Sequence, residues 1–155
     1  MTKRTEDSYT KDAFYISLAT TYASRSKCVS LKVGCCLVKG DTVLGLGVNG
    51  TPKGMPNCCD VYDKGKDDTH HEWSLRHEIH AELNAIIASK CDLNGSTAFI
   101  THSPCMNCLK HLIACGIERI VYKERYSKTT DEMLDSMIKY SQGCLKIEKF
   151  KEEEM

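Results

Sequence analysis

Residues 79–122 read IHAELNAIIASKCDLNGSTAFITHSPCMNCLKHLIACGIERIVY. A helical pattern runs from about Ile79 to Lys90, with Leu83, Ile86 and Ile87 on one face. Asn94-Gly95 ends it. Thr97-Ala-Phe-Ile-Thr101 reads as a strand. Cys105 to Cys115 reads as a second helix, closed by Gly116, and Ile117-Glu-Arg-Ile-Val-Tyr122 as a second strand. This alternation of helix and strand sets the fold class to α/β.

The flanking segments extend the pattern. Upstream, Asp7-Ser8 precedes an amphipathic helix from about Tyr9 to Arg25, with Phe14, Leu18 and Tyr22 at i+4 spacing. Val33-Gly-Cys-Cys-Leu-Val38 and Thr42-Val-Leu-Gly-Leu-Gly-Val48, joined by Lys39-Gly40-Asp41, read as a β-hairpin. Asn49 to Thr69 opens with Gly50, Pro52, Gly54 and Pro56, then turns charged, and reads as one long loop; loops of that length in a compact domain usually carry function. Downstream, Thr130-Asp131 caps a helix to about Tyr140, and Cys144-Leu-Lys-Ile-Glu148 is a last strand. The expected architecture is a three-layer α/β/α sandwich around a central mixed five-stranded sheet.

Composition bounds the function. A chain of 155 residues suits one domain spanning 1–155, with 149–155 a solvated tail. Lys plus Arg and Asp plus Glu each number 21, so the formal charge is zero, which argues against a general nucleic-acid binder. No apolar run approaches the ~18 residues of a membrane span. No apolar stretch follows the N-terminal basic residues, so no secretory signal is expected. Ten cysteines in 155 residues is about 6%, below a disulfide scaffold. The expected compartment is reducing, the cytoplasm.

Two clusters carry chemistry. His80-Ala81-Glu82 and Pro104-Cys105-Met106-Asn107-Cys108 each open a helix. Cys105 and Cys108 are three apart, so both thiols share a helix face. A helix N-terminus favours the thiolate that binds metal. Pro104 suits a helix start, where its missing N–H costs nothing. Two thiolates and the His80 imidazole make three zinc ligands and leave a fourth position open, the catalytic arrangement. Glu82, entering the same first turn, is placed to move protons beside that position.

H-x-E followed by P-C-x-x-C is the zinc deaminase signature, and every specified position matches. At these residues the chain resembles the cytidine deaminase superfamily. Gly47-Val-Asn-Gly-Thr-Pro-Lys-Gly54, Asn57-Cys-Cys-Asp60, His71-Glu-Trp-Ser74 and Glu78-Ile-His-Ala-Glu-Leu-Asn-Ala85 resemble its deoxycytidylate (dCMP) deaminase branch, phage and virus type. The likeness covers most of residues 9 to 126. It implies hydrolysis of dCMP to dUMP and ammonia, feeding thymidylate synthesis. Zinc-bound hydroxide would attack C4 of the cytosine, with Glu82 shuttling protons. It also implies a homohexamer, activated by dCTP and inhibited by dTTP, with no nucleic-acid or membrane partner. For substrate contacts it implies Asn49 on the deoxyribose, Ser26 and Lys27 near the phosphate, with Arg25 a weaker candidate, Ser103 near the base and Tyr126 over the pyrimidine. His102 stands where the phage-type pattern has an apolar residue.

A second zinc enters the same way. Soft or acidic positions remain at Cys28, Cys58 or Cys59, His70 or His71, and Glu78, flanking a long loop that has no apolar periodicity to hold it. The resemblance implies a structural zinc on Cys28, Cys58, His70 and Glu78, a closed set of four. Cys35, Cys36, Cys59, Cys91, Cys115 and Cys144 read as core or surface residues, and His77 and His111 as helix-face or cap residues. Gly47, Gly50 and Gly54 admit two readings, a backbone approached by a triphosphate effector or turns needing positive φ. Three other functions share the signature: a bifunctional dCMP/dCTP deaminase, a nucleic-acid cytosine deaminase, and a non-catalytic nucleotide-sensing zinc module.

Overall fold

The computed structural model describes residues 2–151. Five strands, β1 (Gly34–Lys39), β2 (Thr42–Val48), β3 (Thr97–His102), β4 (Arg119–Glu124) and β5 (Lys146–Lys149), form one sheet in the order β2-β1-β3-β4-β5. The β1/β2 hairpin and the β1/β3 pair are antiparallel; β3/β4 and β4/β5 are parallel. The sheet is therefore mixed, as the sequence implied.

Alternation along the strands makes the layers. On one face Cys35, Leu37, Ala98, Ile100, Ile120 and Tyr122 pack with residues of three helices, α4 (Ala81–Ser89), α5 (Met106–Ala114) and α6 (Asp131–Tyr140). On the other face Cys36, Val38, Phe99 and Val121 pack against α1 (Thr2–Ala23). The result is the expected three-layer sandwich.

Small residues let the helices sit close. A Cβ at Gly34 would lie 2.0 Å from the Ala19 carbonyl oxygen, so only glycine fits under α1. On the opposite face a Cβ at Gly47 would meet the Ala81 carbonyl oxygen at 2.2 Å, and one at Gly45 the Ala85 oxygen at 2.5 Å. Gly47 thus serves helix packing. Gly54 alone of the three glycines around Asn49 has positive φ, at 90°.

Several sequence expectations shift. The α1 helix buries Tyr15, Ile16, Ala19 and Ala23, whereas Phe14 is 57% exposed. The close approach at Gly34 selects the alanine edge of the helix. Likewise α4 buries Ala81, Glu82 and Ala85 and leaves Ile87 exposed. It ends at Ser89, where Lys90 takes a left-handed cap (φ 50°), ahead of Asn94-Gly95. The expected loop Asn49 to Thr69 holds a short helix, α2 (Cys58–Val61), and α3 (His70–His77) follows it. Neither has the length to show a period. The tail starts later than expected: Lys149 pairs with Tyr122 in β5, and the buried Phe150 donates its N–H to the Tyr122 carbonyl at 2.7 Å. Of that tail, 152–155 lie outside the described residues. No helix among the described residues is long and apolar enough to cross a membrane.

Candidate active site

The site lies past the C-terminal ends of β3 and β4, where open α/β sheets commonly bind ligands. β3 runs into Ser103-Pro104 and then α5, whose N-cap is Cys105. His80 is the N-cap of α4. Two helix starts therefore face each other with their donors together. The His80 Nδ1 lies 3.2 Å from Cys108 Sγ and 3.4 Å from Cys105 Sγ. The Cys108 backbone N–H donates to Cys105 Sγ at 3.4 Å.

This cluster fits zinc. Ligand bonds of about 2.3 Å to sulfur and 2.0 Å to nitrogen put a tetrahedral sulfur–nitrogen edge near ~3.6 Å. All three donor atoms lie within 4.8 Å of one another. Hydrogen bonds from the Cys108 thiol and from His80 hold the Cys105 thiol down at about 4. Cys108 is pushed up, because it keeps the shared proton and is buried. The His80 imidazole is raised by the Cys105 sulfur beside it. Two sulfurs and an imidazole nitrogen converging on one point are a donor set for zinc.

Glu82 stands in the first turn of α4 and is 4% exposed. Burial raises its carboxyl above the ordinary range; its own backbone N–H, His80 and the Cys108 thiol oppose that shift. A buried carboxyl beside a metal set is placed to accept a proton and return it.

The second set is also assembled. The Cys58 Sγ is 3.2 Å and Cys28 Sγ 3.8 Å from His70 Nε2. Cys28 Sγ is 3.4 Å from Glu78 Oε1, and His70 Nε2 3.9 Å from it. All four residues are buried, and Glu78 Oε2 is buried without a hydrogen-bond partner. A buried orphan carboxylate oxygen among two thiols and an imidazole suits a metal ion. Of the alternatives left open by the sequence, Cys59 is exposed, and His71 points to Lys128.

Both sets border one cavity of about 530 Å3, a size that takes a small ligand. His80, Glu82 and Cys105 line it, and so do Cys28, His70 and Glu78. Asn49, Ser103 and Tyr126 line it too. The Asn49 amide is already engaged, accepting from Val33 N–H at 2.9 Å and donating to the Leu31 carbonyl at 2.7 Å. Ser103 Oγ accepts the Tyr126 N–H at 2.8 Å, which fixes that tyrosine beside the cavity. Ser26 and Lys27 are not brought to the cavity. Ser26 is buried, donating to the Asn49 carbonyl and accepting from Cys28 N–H. Lys27 is exposed away from the lining. The lysines on the lining are Lys66 and Lys128, which the sequence reading missed.

Residues 9–124 match the family described as the cytidine and deoxycytidylate deaminase zinc-binding region. The chain belongs to this family, is an enzyme, and binds zinc. Within the family it groups with phage relatives. It is 32% identical to the deoxycytidylate deaminase of Enterobacteria phage T4, over 76% of this chain and 80% of that one. It is 36% identical to that of Mycobacterium phage D29, over 72% of this chain and 92% of that one. The crystal structure of the dCMP deaminase from cyanophage S-TIM5 in complex with dCMP and dUMP superimposes with a TM-score of 0.68, at 30% identity, covering 88% and 94% of the two chains.

Proposed function

We propose that this enzyme hydrolyses dCMP to dUMP and ammonia, with His80, Cys105 and Cys108 holding a catalytic zinc and Glu82 as the proton carrier. One observation carries the reading: a buried carboxyl stands beside a three-donor metal set, both on the wall of one cavity. Zinc held there supplies a Lewis acid and acidifies a water toward a pKa of ~7.

The chain's own residues do the rest. Glu82 takes a proton from the attacking water and delivers it to N3 of the cytosine. The oxygen adds at C4; Glu82 then takes the remaining proton from that oxygen and gives it to the amine as the C4–N4 bond breaks, so water enters, a C4 carbonyl forms and ammonia leaves. Its raised carboxyl suits both directions of transfer. Ser103 and the tyrosine it anchors, Tyr126, line the cavity at the base, and Asn49, held by Val33 and Leu31, lines it at the sugar. Cys28, Cys58, His70 and Glu78 hold a second zinc whose role is structural, because four protein donors leave no open position. Free thiols throughout suit a reducing cytoplasm. The family likeness extends the reading to a homohexamer stimulated by dCTP and inhibited by dTTP.

The test is dUMP formation from dCMP by zinc-loaded protein, with and without dCTP, beside Glu82→Gln. Turnover should fall by about 10²–10⁴-fold in the variant, with zinc content and melting temperature kept. Full activity in the variant removes Glu82 as proton carrier, and no turnover by the folded, zinc-loaded wild type removes the substrate.

A further inference from the structure

We infer that Thr129 is a positioning residue of this site: its buried hydroxyl clasps the turn that carries Tyr126 to the loop that carries Cys105, and so holds the tyrosine ring against the metal donors. This rests on the reading of Tyr126 as the residue over the base of dCMP.

Of residues 124–130, Thr129 alone is buried, at 1% exposure. A buried hydroxyl costs free energy unless it is hydrogen-bonded. Two threonines in a row divide the work here. Thr130 is the N-cap of α6, its side chain accepting the Met133 N–H at 3.2 Å. Thr129 turns inward, and its Oγ1 donates to the Pro104 carbonyl at 3.1 Å. That carbonyl precedes the Cys105 N-cap and so lies outside the hydrogen-bond ladder of α5. Pro104 is itself fully buried, so its oxygen needs a partner from the chain.

The bond is one of a set. The Ser103 N–H donates to the Glu124 carbonyl at 2.9 Å, carrying the β3/β4 pairing past the end of the strand. Ser103 Oγ accepts the Tyr126 N–H at 2.8 Å. The Thr129 N–H donates to the Tyr126 carbonyl at 3.0 Å and closes the turn. Tyr126 is thus held through its N–H by the Ser103 loop and through its carbonyl by Thr129, whose hydroxyl returns to the same loop. Without that hydroxyl the far end of the turn can swing about the Ser103 bond. Burial raises the Tyr126 hydroxyl, with the Cys105 sulfur and the Glu82 carboxylate adding to it, which sets the ring beside both. The Arg125–Asp131 pair spans the turn from outside, and solvent screening makes such a pair weak.

The experiment compares zinc-loaded wild type, Thr129→Val, Thr129→Ser, Asp131→Asn, Tyr126→Leu and the double variant Tyr126→Leu/Thr129→Val, each below its melting temperature. Valine keeps the shape and deletes the hydroxyl; Thr129→Ala repeats the test where the valine variant does not fold. Thr129→Val should lower kcat/KM for dCMP about tenfold, the scale of one hydrogen bond. It should speed Tyr126 amide exchange by a similar factor, with zinc content kept. Thr129→Ser, which keeps the hydroxyl, should stay within about twofold of wild type, and so should Asp131→Asn. In the Tyr126→Leu background the valine change should cost less than about twofold, because Thr129 acts through the tyrosine. Unchanged turnover in folded Thr129→Val overturns the assignment. So does an equal loss in the Tyr126→Leu background, a loss that serine fails to rescue, or a zinc content that falls with the hydroxyl. Wild type that does not turn over dCMP, yet shows slow Tyr126 amide exchange that Thr129→Val speeds, keeps the clasp and sinks the substrate reading. Full turnover in Tyr126→Leu sinks the reading of the tyrosine and the inference with it.

Discussion

The His80–Cys105–Cys108 set and the Cys28–Cys58–His70–Glu78 set use similar donors but are built on different ground. The first stands on the starts of α4 and α5, helices packed against the sheet through Ala81, Ala85, Leu109 and Leu112. Its geometry follows from the main core. The second draws its donors from residues 28 to 78; outside β1 and β2 these rest on two short helices and a small apolar cluster of Cys28, Cys58 and Tyr62, flanked by Val29 and Trp73. So few buried groups hold residues 49–78 weakly, and a metal ion on the four donors would add to that hold. Loss of metal should silence the first set and loosen the second.

The largest effect expected is Cys108→Ser, which should drop dCMP turnover below detection. With free zinc 1,000-fold above Kd, a lost site costs about 4 kcal/mol, or a Tm drop on the order of 10 °C for this size, so Cys108→Ser and Cys58→Ser should both melt lower. What separates them is where the loosening falls. Trp73, the single tryptophan, stacks on His77 and lies 5.6 Å from the Tyr62 ring, which itself packs against His70. Its fluorescence should change in Cys58→Ser and stay constant in Cys108→Ser.

A smaller change tests the sheet's hold on the first set. Gly47→Ala drives a Cβ into the Ala81 backbone next to His80 and should cost about 1–3 kcal/mol. Gly50→Ala, with no atom within 4 Å of its Cβ, is the control. Denaturant midpoints separate them; equal midpoints would mean α4 shifts freely. Smallest is Asp12→Ala, which removes the pair with Arg119 at 2.6 Å, partly exposed on both sides. It should cost about 1 kcal/mol in chemical denaturation and leave both metals bound, since it ties α1 to β4 far from either set.

The two sets also differ in how much of them the residues announce. H-x-E and P-C-x-x-C place the first because helix starts impose fixed spacings on their donors. The second shows only isolated donors: Cys28, Cys58, His70 and Glu78 obey no period, and only the resemblance to a family picks them out. The layers were legible through the order of elements, a hairpin followed by alternating helices and strands; β1, β3 and β4 are continuous buried runs, as strands covered on both faces are. Which helix edge was buried was not: Phe14 and Ile87 are the larger apolar groups, yet Gly34 and Gly47 admit only the alanine edges. Lys66 and Lys128 were hidden for a plainer reason. Lys66 sits in a charged run that reads as a solvated loop, and the contact between Lys128 and His71 joins residues 57 positions apart.

The most direct measurement is zinc per chain, by native mass spectrometry, in wild type, Cys108→Ser and Cys58→Ser. Two sites with separate jobs predict two zinc ions in wild type and one in each variant, with Trp73 fluorescence changed only in Cys58→Ser. One zinc in intact wild type, lost in Cys108→Ser and kept in Cys58→Ser, would contradict it.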